Sequence, residues 1–90
     1  MSENSDPRRA VRLPDGIDLH ARPAGALVRA ASAYQSAITL SAGDRCADAK
    51  SILQVLALGA TGGTELAVAA RGSDASEALD AISSLLATLS

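Results

Sequence analysis

Residues 8–34 read RRAVRLPDGIDLHARPAGALVRAASAY, and the order of patterns inside this stretch decides the fold. Arg8 to Leu13 alternates, with Val11 and Leu13 on one side and Arg12 on the other, the period-two signature of a half-buried strand. Pro14-Asp15-Gly16 stops the strand with turn residues, and Ile17 to His20 follows as a loop. From Ala21 to about Tyr34 the period changes: Ala24, Leu27, Val28, Ala31 and Tyr34 recur at helical spacing and form one apolar stripe. Pro23 sits in the first turn, where a missing N–H does little harm. A strand with one apolar face and a helix with one apolar stripe bury both by packing helix on sheet.

The remainder of the chain repeats these two patterns. Ser36 to Ser41 sets Ile38 and Leu40 against Thr39 and Ser41 and reads as a second strand. Ala42-Gly43-Asp44 is a turn, and Arg45 to Asp48 is the return arm of a hairpin. Ser51 to Leu58 is a short helix ended by Gly59. Its five large apolar residues, Ile52, Leu53, Val55, Leu56 and Leu58, are too many to bury under so short a helix. Thr61 to Thr64 turns the chain into a fourth strand, Glu65 to Arg71. The last helix carries Ala78, Ile82, Leu85, Leu86 and Leu89 as its buried stripe, with Asp74 and Glu77 spaced as a capping box. The expected class is α+β, in the order β-α-β-β-α-β-α.

Composition narrows the function. Ninety residues make one domain, expected over residues 8–90 behind a flexible N-terminal leader at residues 1–7. Hydrophobic residues are 48%, but 20 residues are alanine and none is Phe or Trp, so the core is thin and aliphatic. Eight Lys and Arg against ten Asp and Glu, with Tyr34 as the one aromatic residue, argue against nucleic-acid binding. Cys46 has no partner for an internal disulfide and points to a reducing compartment. One Cys and one His do not make a zinc site of the usual kind. No apolar run approaches a membrane span, and MSENSDP lacks the apolar centre of a signal peptide. These features together read as cytoplasmic.

Chemistry gathers at the one imidazole. His20 lies at or next to the N-cap position of the first helix, in the run Leu19-His20-Ala21-Arg22-Pro23-Ala24. The first N–H groups of a helix have no intrahelical partner and carry partial positive charge, which suits an anion. A phosphoryl group on the imidazole would meet those amides directly. The Arg22 guanidinium could bind two of its oxygens. The plain alternative is an exposed loop histidine that caps a helix, and position alone favours it. Likewise Ser51 reads as an N-cap serine, stabilising by about 1 kcal/mol, and Arg29 as a solvated helix face or a pairing partner for acidic groups.

The runs Gly16 to Ala24 (GIDLHARPA), Ala49 to Leu53 (AKSIL) and Leu58-Gly59 resemble the HPr family, the histidine-containing phosphocarriers of the bacterial phosphoenolpyruvate:sugar phosphotransferase system. The resemblance extends over about residues 8 to 89. It implies an open-faced β-sandwich, with a four-stranded antiparallel sheet and three helices on one face. It also implies that His20 takes a phosphoryl group on Nδ1 from phosphorylated enzyme I and passes it to a sugar-specific enzyme IIA. Such transfer is stoichiometric, made by a monomer and needing no cofactor or metal. Arg22 matches the family's phosphate-facing arginine, beside the helix-terminal amides of Ala21 and Arg22. Pro23, Arg29, Ile52, Leu53, Leu56 and Ala57 match a docking patch, and an apolar patch beside a charged site suits a transient partner.

Ser51 matches a serine that a serine kinase/phosphorylase modifies in many relatives. A different class of function follows from it: a regulatory interaction module, switched at Ser51 and binding a transcriptional regulator. An HPr paralogue serving a nitrogen-related or dihydroxyacetone branch would share the same site chemistry. Against the family's usual run, Asp18-Leu19 reads as inserted before His20. Aimed at the ring, the Asp18 carboxylate would repel a phosphate; aimed outward it would change nothing.

Overall fold

The computed structural model describes residues 7–89; residues 1–6, most of the expected leader, lie outside the described residues. The elements run β1 (Arg8–Arg12), α1 (Ala21–Ser32), β2 (Ala37–Ala42), β3 (Arg45–Asp48), α2 (Ile52–Leu58), β4 (Glu65–Arg71) and α3 (Ala75–Ala87). The four strands form one antiparallel sheet in the order β1-β4-β2-β3. Val11, Leu66, Val68, Ala70, Ile38, Leu40 and Ala47 point from the sheet into the core, and α1, α2 and α3 cover that side. The alternate residues Ala10, Ala67, Ala69, Thr39 and Cys46 face outward. The open-faced α+β sandwich implied by the resemblance is the architecture found.

Local chemistry explains the ends of the elements. Leu13 continues the β1 ladder into the loop before β4: its N–H donates to Thr64 O, and its carbonyl accepts from Gly63 N–H, both at 2.9 Å. At the other end Pro7 O accepts from Ala70 N–H at 3.0 Å, so pairing begins one residue before β1. α1 stops at Ser32 rather than near Tyr34, because the amides of Ala33 and Tyr34 bond three residues back, to Ala30 O and Ala31 O. That tightening to a 3₁₀ turn is a common helix ending. The carbonyl of Tyr34 then accepts from Lys50 Nζ at 2.7 Å. Arg45 Nη2 likewise donates to Ala57 O at 2.9 Å, so both helices have a cation at the negative end of their dipole. Gly59 ends α2 at φ 67°, a left-handed conformation that favours glycine. The Gln54 side chain accepts the outward Asp48 N–H at 2.9 Å and so covers an edge of the sheet.

Two expectations for α3 need correction. Leu85 and Leu89 are only half-buried, while Leu79 and Ser83 take core positions. The stripe is rotated toward Leu79 because α3 lies on β1 and β4 as well as on α1. More consequentially, Asp74 occupies the N-cap position but its side chain makes no capping bond. Its carboxylate reaches across the fold and accepts from the amides of Gln35 and Ser36, both at 2.9 Å, and from the Ser36 hydroxyl. The start of α3 is thereby tied to the α1–β2 connection. Three donors outcompete a single cap.

These donors, the Ser36 hydroxyl first and the Gln35 amide next, hold the Asp74 carboxyl below its ordinary value of 3.8. A group whose folded-state value is depressed stabilises the fold above the unfolded value and loses that contribution as pH falls through the folded one. Urea unfolding between about pH 6 and pH 2.5 is therefore expected to show wild type more stable than Asp74→Asn at the upper end, with the gap closing below about pH 4. A gap independent of pH would contradict this assignment.

Candidate functional site

His20 is the N-cap residue of α1, with φ −91° and ψ −166°. Its carbonyl accepts the first helical bond, from Ala24 N–H at 2.9 Å. The imidazole is exposed and makes no side-chain capping bond. The chain enters from a well-fastened corner. Leu19 is buried and its N–H donates to Ala60 O at 2.9 Å. The histidine is therefore carried on a fixed backbone while its ring stays in solvent.

The amides of Ala21 and Arg22 open the twelve-residue α1 without partners among the described residues. The first turn holds no acidic side chain. Partial positive charge at the start of the helix is thus uncancelled beside the imidazole. Arg22 is exposed and joins no ion pair among the described residues. It borders a groove of about 330 Å³ together with Pro23, Ala26, Leu85, Thr88 and Leu89. The exposed imidazole, the two amides and the exposed Arg22 side chain thus belong to three successive residues at the start of α1.

The docking residues fall into two sets. Ile52, Leu53 and Leu56 are exposed at 38%, 76% and 38%, whereas Val55 and Leu58 of the same helix are buried. Ala57 is exposed too. The excess of apolar residues in α2 is therefore a real surface patch, on a helix packed against α1. Arg29 is exposed and folds back along α1, its Nη1 lying 3.5 Å from the point a Cβ on Gly25 would occupy. Pro23, expected in the docking surface, is buried, and it lines the groove beside Arg22 together with Leu85, Thr88 and Leu89. Ser51 stands at the N-cap of α2, its Oγ accepting the Gln54 N–H at 3.3 Å.

Asp18 does something the sequence pattern did not offer. Its Oδ1 accepts the Gly62 N–H at 2.8 Å, and no hydrogen bond joins it to the imidazole. The pair Gly62-Gly63 was the available hint, since adjacent glycines often mark a close backbone approach. No group of three or more His, Cys, Asp or Glu side chains that could hold a metal occurs among the described residues. Among them, no helix is long and apolar enough to cross a membrane.

Comparison with known proteins agrees with this geometry. The family model for the PTS HPr component phosphorylation site matches residues 7–88. The phosphocarrier protein HPr of Mycoplasma capricolum is 41% identical over 70 residues, 78% of this chain and 79% of the relative. That of Haemophilus influenzae is 39% identical over 71 residues, 79% of this chain and 84% of the relative. Among solved structures, HPr from Bacillus anthracis superposes with a TM-score of 0.86 at 29% identity, over 92% of this chain and 99% of that one. A mycoplasma histidine-containing phosphocarrier protein superposes at 0.83 with 37% identity, over 88% and 90% of the two chains. With the family model spanning nearly the whole domain, the chain belongs to the HPr family of phosphocarrier proteins of the phosphotransferase system.

Proposed function

We propose that His20 is the phosphoryl acceptor of a stoichiometric carrier, loaded by phosphorylated enzyme I and discharged to an enzyme IIA in the cytoplasm. The observation that carries this reading is the exposed imidazole at the start of α1, next in sequence to Arg22 and to two amides, all without hydrogen-bond partners among the described residues. In the transfer, the bond holding the group to the donor breaks as the P–Nδ1 bond forms, and the departing donor atom keeps the electron pair. Arg22 and the amides of Ala21 and Arg22 balance the phosphoryl charge on both sides of the exchange. An open helix end holds the group without trapping it, so the same contacts serve loading and discharge. The α2 patch of Ile52, Leu53 and Leu56, flanked by Ala57 and Arg29, supplies the apolar and charged contacts for two partners in turn.

The test is direct. Incubating the protein with enzyme I, Mg²⁺ and phosphoenolpyruvate should add the mass of one phosphoryl group, labile in acid and stable in base. An unmodified protein would overturn the reading. It would leave the regulatory alternative, in which a kinase modifies Ser51. A phosphate there would sit at the start of α2 beside the exposed patch and repel acidic partners.

A further inference from the structure

Besides the buried Leu19, one polar side chain fastens the backbone that carries His20. Asp18 Oδ1 accepts the Gly62 N–H at 2.8 Å, across 44 positions of sequence. The main-chain carbonyl of the same residue accepts the His20 N–H at 2.8 Å. Asp18 is thus bonded through its side chain to the α2–β4 connection and through its backbone to the residue bearing the imidazole. Beyond His20, α1 takes over. Before Asp18, the turn at residues 14–17 lies directly against Gly62, where a Cβ would come within 2.5 Å of Gly16 N. Asp18 is the residue at which this corner is joined to the acceptor.

A carboxylate two positions from a phosphoryl acceptor is electrostatically unfavourable unless it does something else. A hydrogen bond from a backbone amide to a carboxylate is stronger than one between neutral groups. We propose that Asp18 is a positioning residue for transfer at His20, an inference that rests on His20 being the acceptor. Its carboxylate, seated on the Gly62 amide, holds the backbone that presents the imidazole beside the amides of Ala21 and Arg22. Geometry at a reacting group matters steeply, because a displacement of about 1 Å can lower a rate by two orders of magnitude. Loss of one brace that leaves the Leu19–Ala60 bond in place loosens the imidazole by less than that.

The experiment compares wild type, Asp18→Ala and Asp18→Asn as substrates of enzyme I with Mg²⁺ and phosphoenolpyruvate. Exchange of the Gly62 amide proton is followed by NMR. Asparagine keeps an oxygen of the same reach and drops the charge; alanine drops both. Asp18→Ala should lower kcat for phosphorylation about fivefold with KM for the carrier within about twofold, because the α2 patch and Arg22 are untouched. Asp18→Asn should stay within about twofold of wild type in both constants and keep the Gly62 amide protected. Asp18 is exposed, and the buried Leu19 side chain anchors the loop without it, so the alanine variant should remain folded. The proposal is overturned if alanine reacts as fast as wild type, if asparagine is as slow as alanine, or if both variants are faster. The last result would mean that charge repulsion outweighs positioning. A wild type that takes no phosphoryl group at all overturns the acceptor reading and this one with it; the other three outcomes strike this one alone.

Discussion

His20→Ala is expected to abolish phosphorylation by enzyme I and phosphoenolpyruvate while leaving the fold as stable as wild type to within about 0.5 kcal/mol. The two halves of this expectation have different causes. Loss of the acceptor is complete because the chain has one histidine, so no second imidazole can substitute. Stability is spared because the ring is exposed and forms no capping bond, while the helix-starting contact of residue 20 is made by its backbone carbonyl. Alanine keeps that carbonyl. Intact-mass measurement before and after acid treatment reads the first half, and urea unfolding the second. A phosphorylated alanine variant would place the acceptor elsewhere, and resistance to acid would point to a hydroxyl such as that of Ser51. A large loss of stability would mean that the imidazole has packing partners, contrary to its exposure.

How far the sequence carried this result depends on the range of the interaction. Alternation in RRAVRL and ELAVAAR and the helical stripe of Ala24, Leu27 and Ala31 are local patterns, and those elements stand where the patterns put them. The β3 and β4 boundaries match because turn residues bound them closely on both sides. The patch on α2 was legible by a volume argument: a helix of seven residues cannot bury five large apolar side chains, and Leu53 is 76% exposed. The HARPA run places His20 and Arg22 at a helix start, and they stand there in the structure.

The errors share one form. Asp74 with Glu77 looks like a capping box, and the local pattern carries no trace of the Gln35 and Ser36 amides that claim the carboxylate from 38 and 39 residues away. Likewise the sequence offers Asp18 only its neighbour, the imidazole, to point at or away from, and its partner is 44 positions distant. A polar side chain in a small fold is settled by whichever backbone amides the topology brings within reach. That depends on strand order, which alternation does not encode.

The same corner yields a large expected effect on stability. Gly62→Ala should destabilise the protein by about 3 kcal/mol, a value at the upper end for overpacking. Gly62 needs no left-handed backbone; what it lacks is space. A Cβ there would stand 2.5 Å from Gly16 N and 2.9 Å from both Ile17 N and Pro14 O. All three are backbone atoms, so no side-chain rotation relieves them. The turn they belong to is closed by the Ile17–Pro14 bond at 3.1 Å, and Gly62 itself is held by Asp18 at 2.8 Å. Either the turn or the glycine must move, and each movement breaks a bond. Gly59→Ala separates crowding from conformational strain. At Gly59 a Cβ would meet nothing nearer than Arg45 Nη1 at 3.8 Å, and the φ of 67° makes strain the only penalty, about 1–2 kcal/mol. For a domain of this size each kcal/mol lowers the melting temperature by roughly 4–8 °C. Thermal unfolding should therefore place Gly62→Ala well below Gly59→Ala, and both below wild type. The reverse order would show that the 14–17 turn yields easily, and with it that the corner supporting His20 is softer than its hydrogen bonds imply.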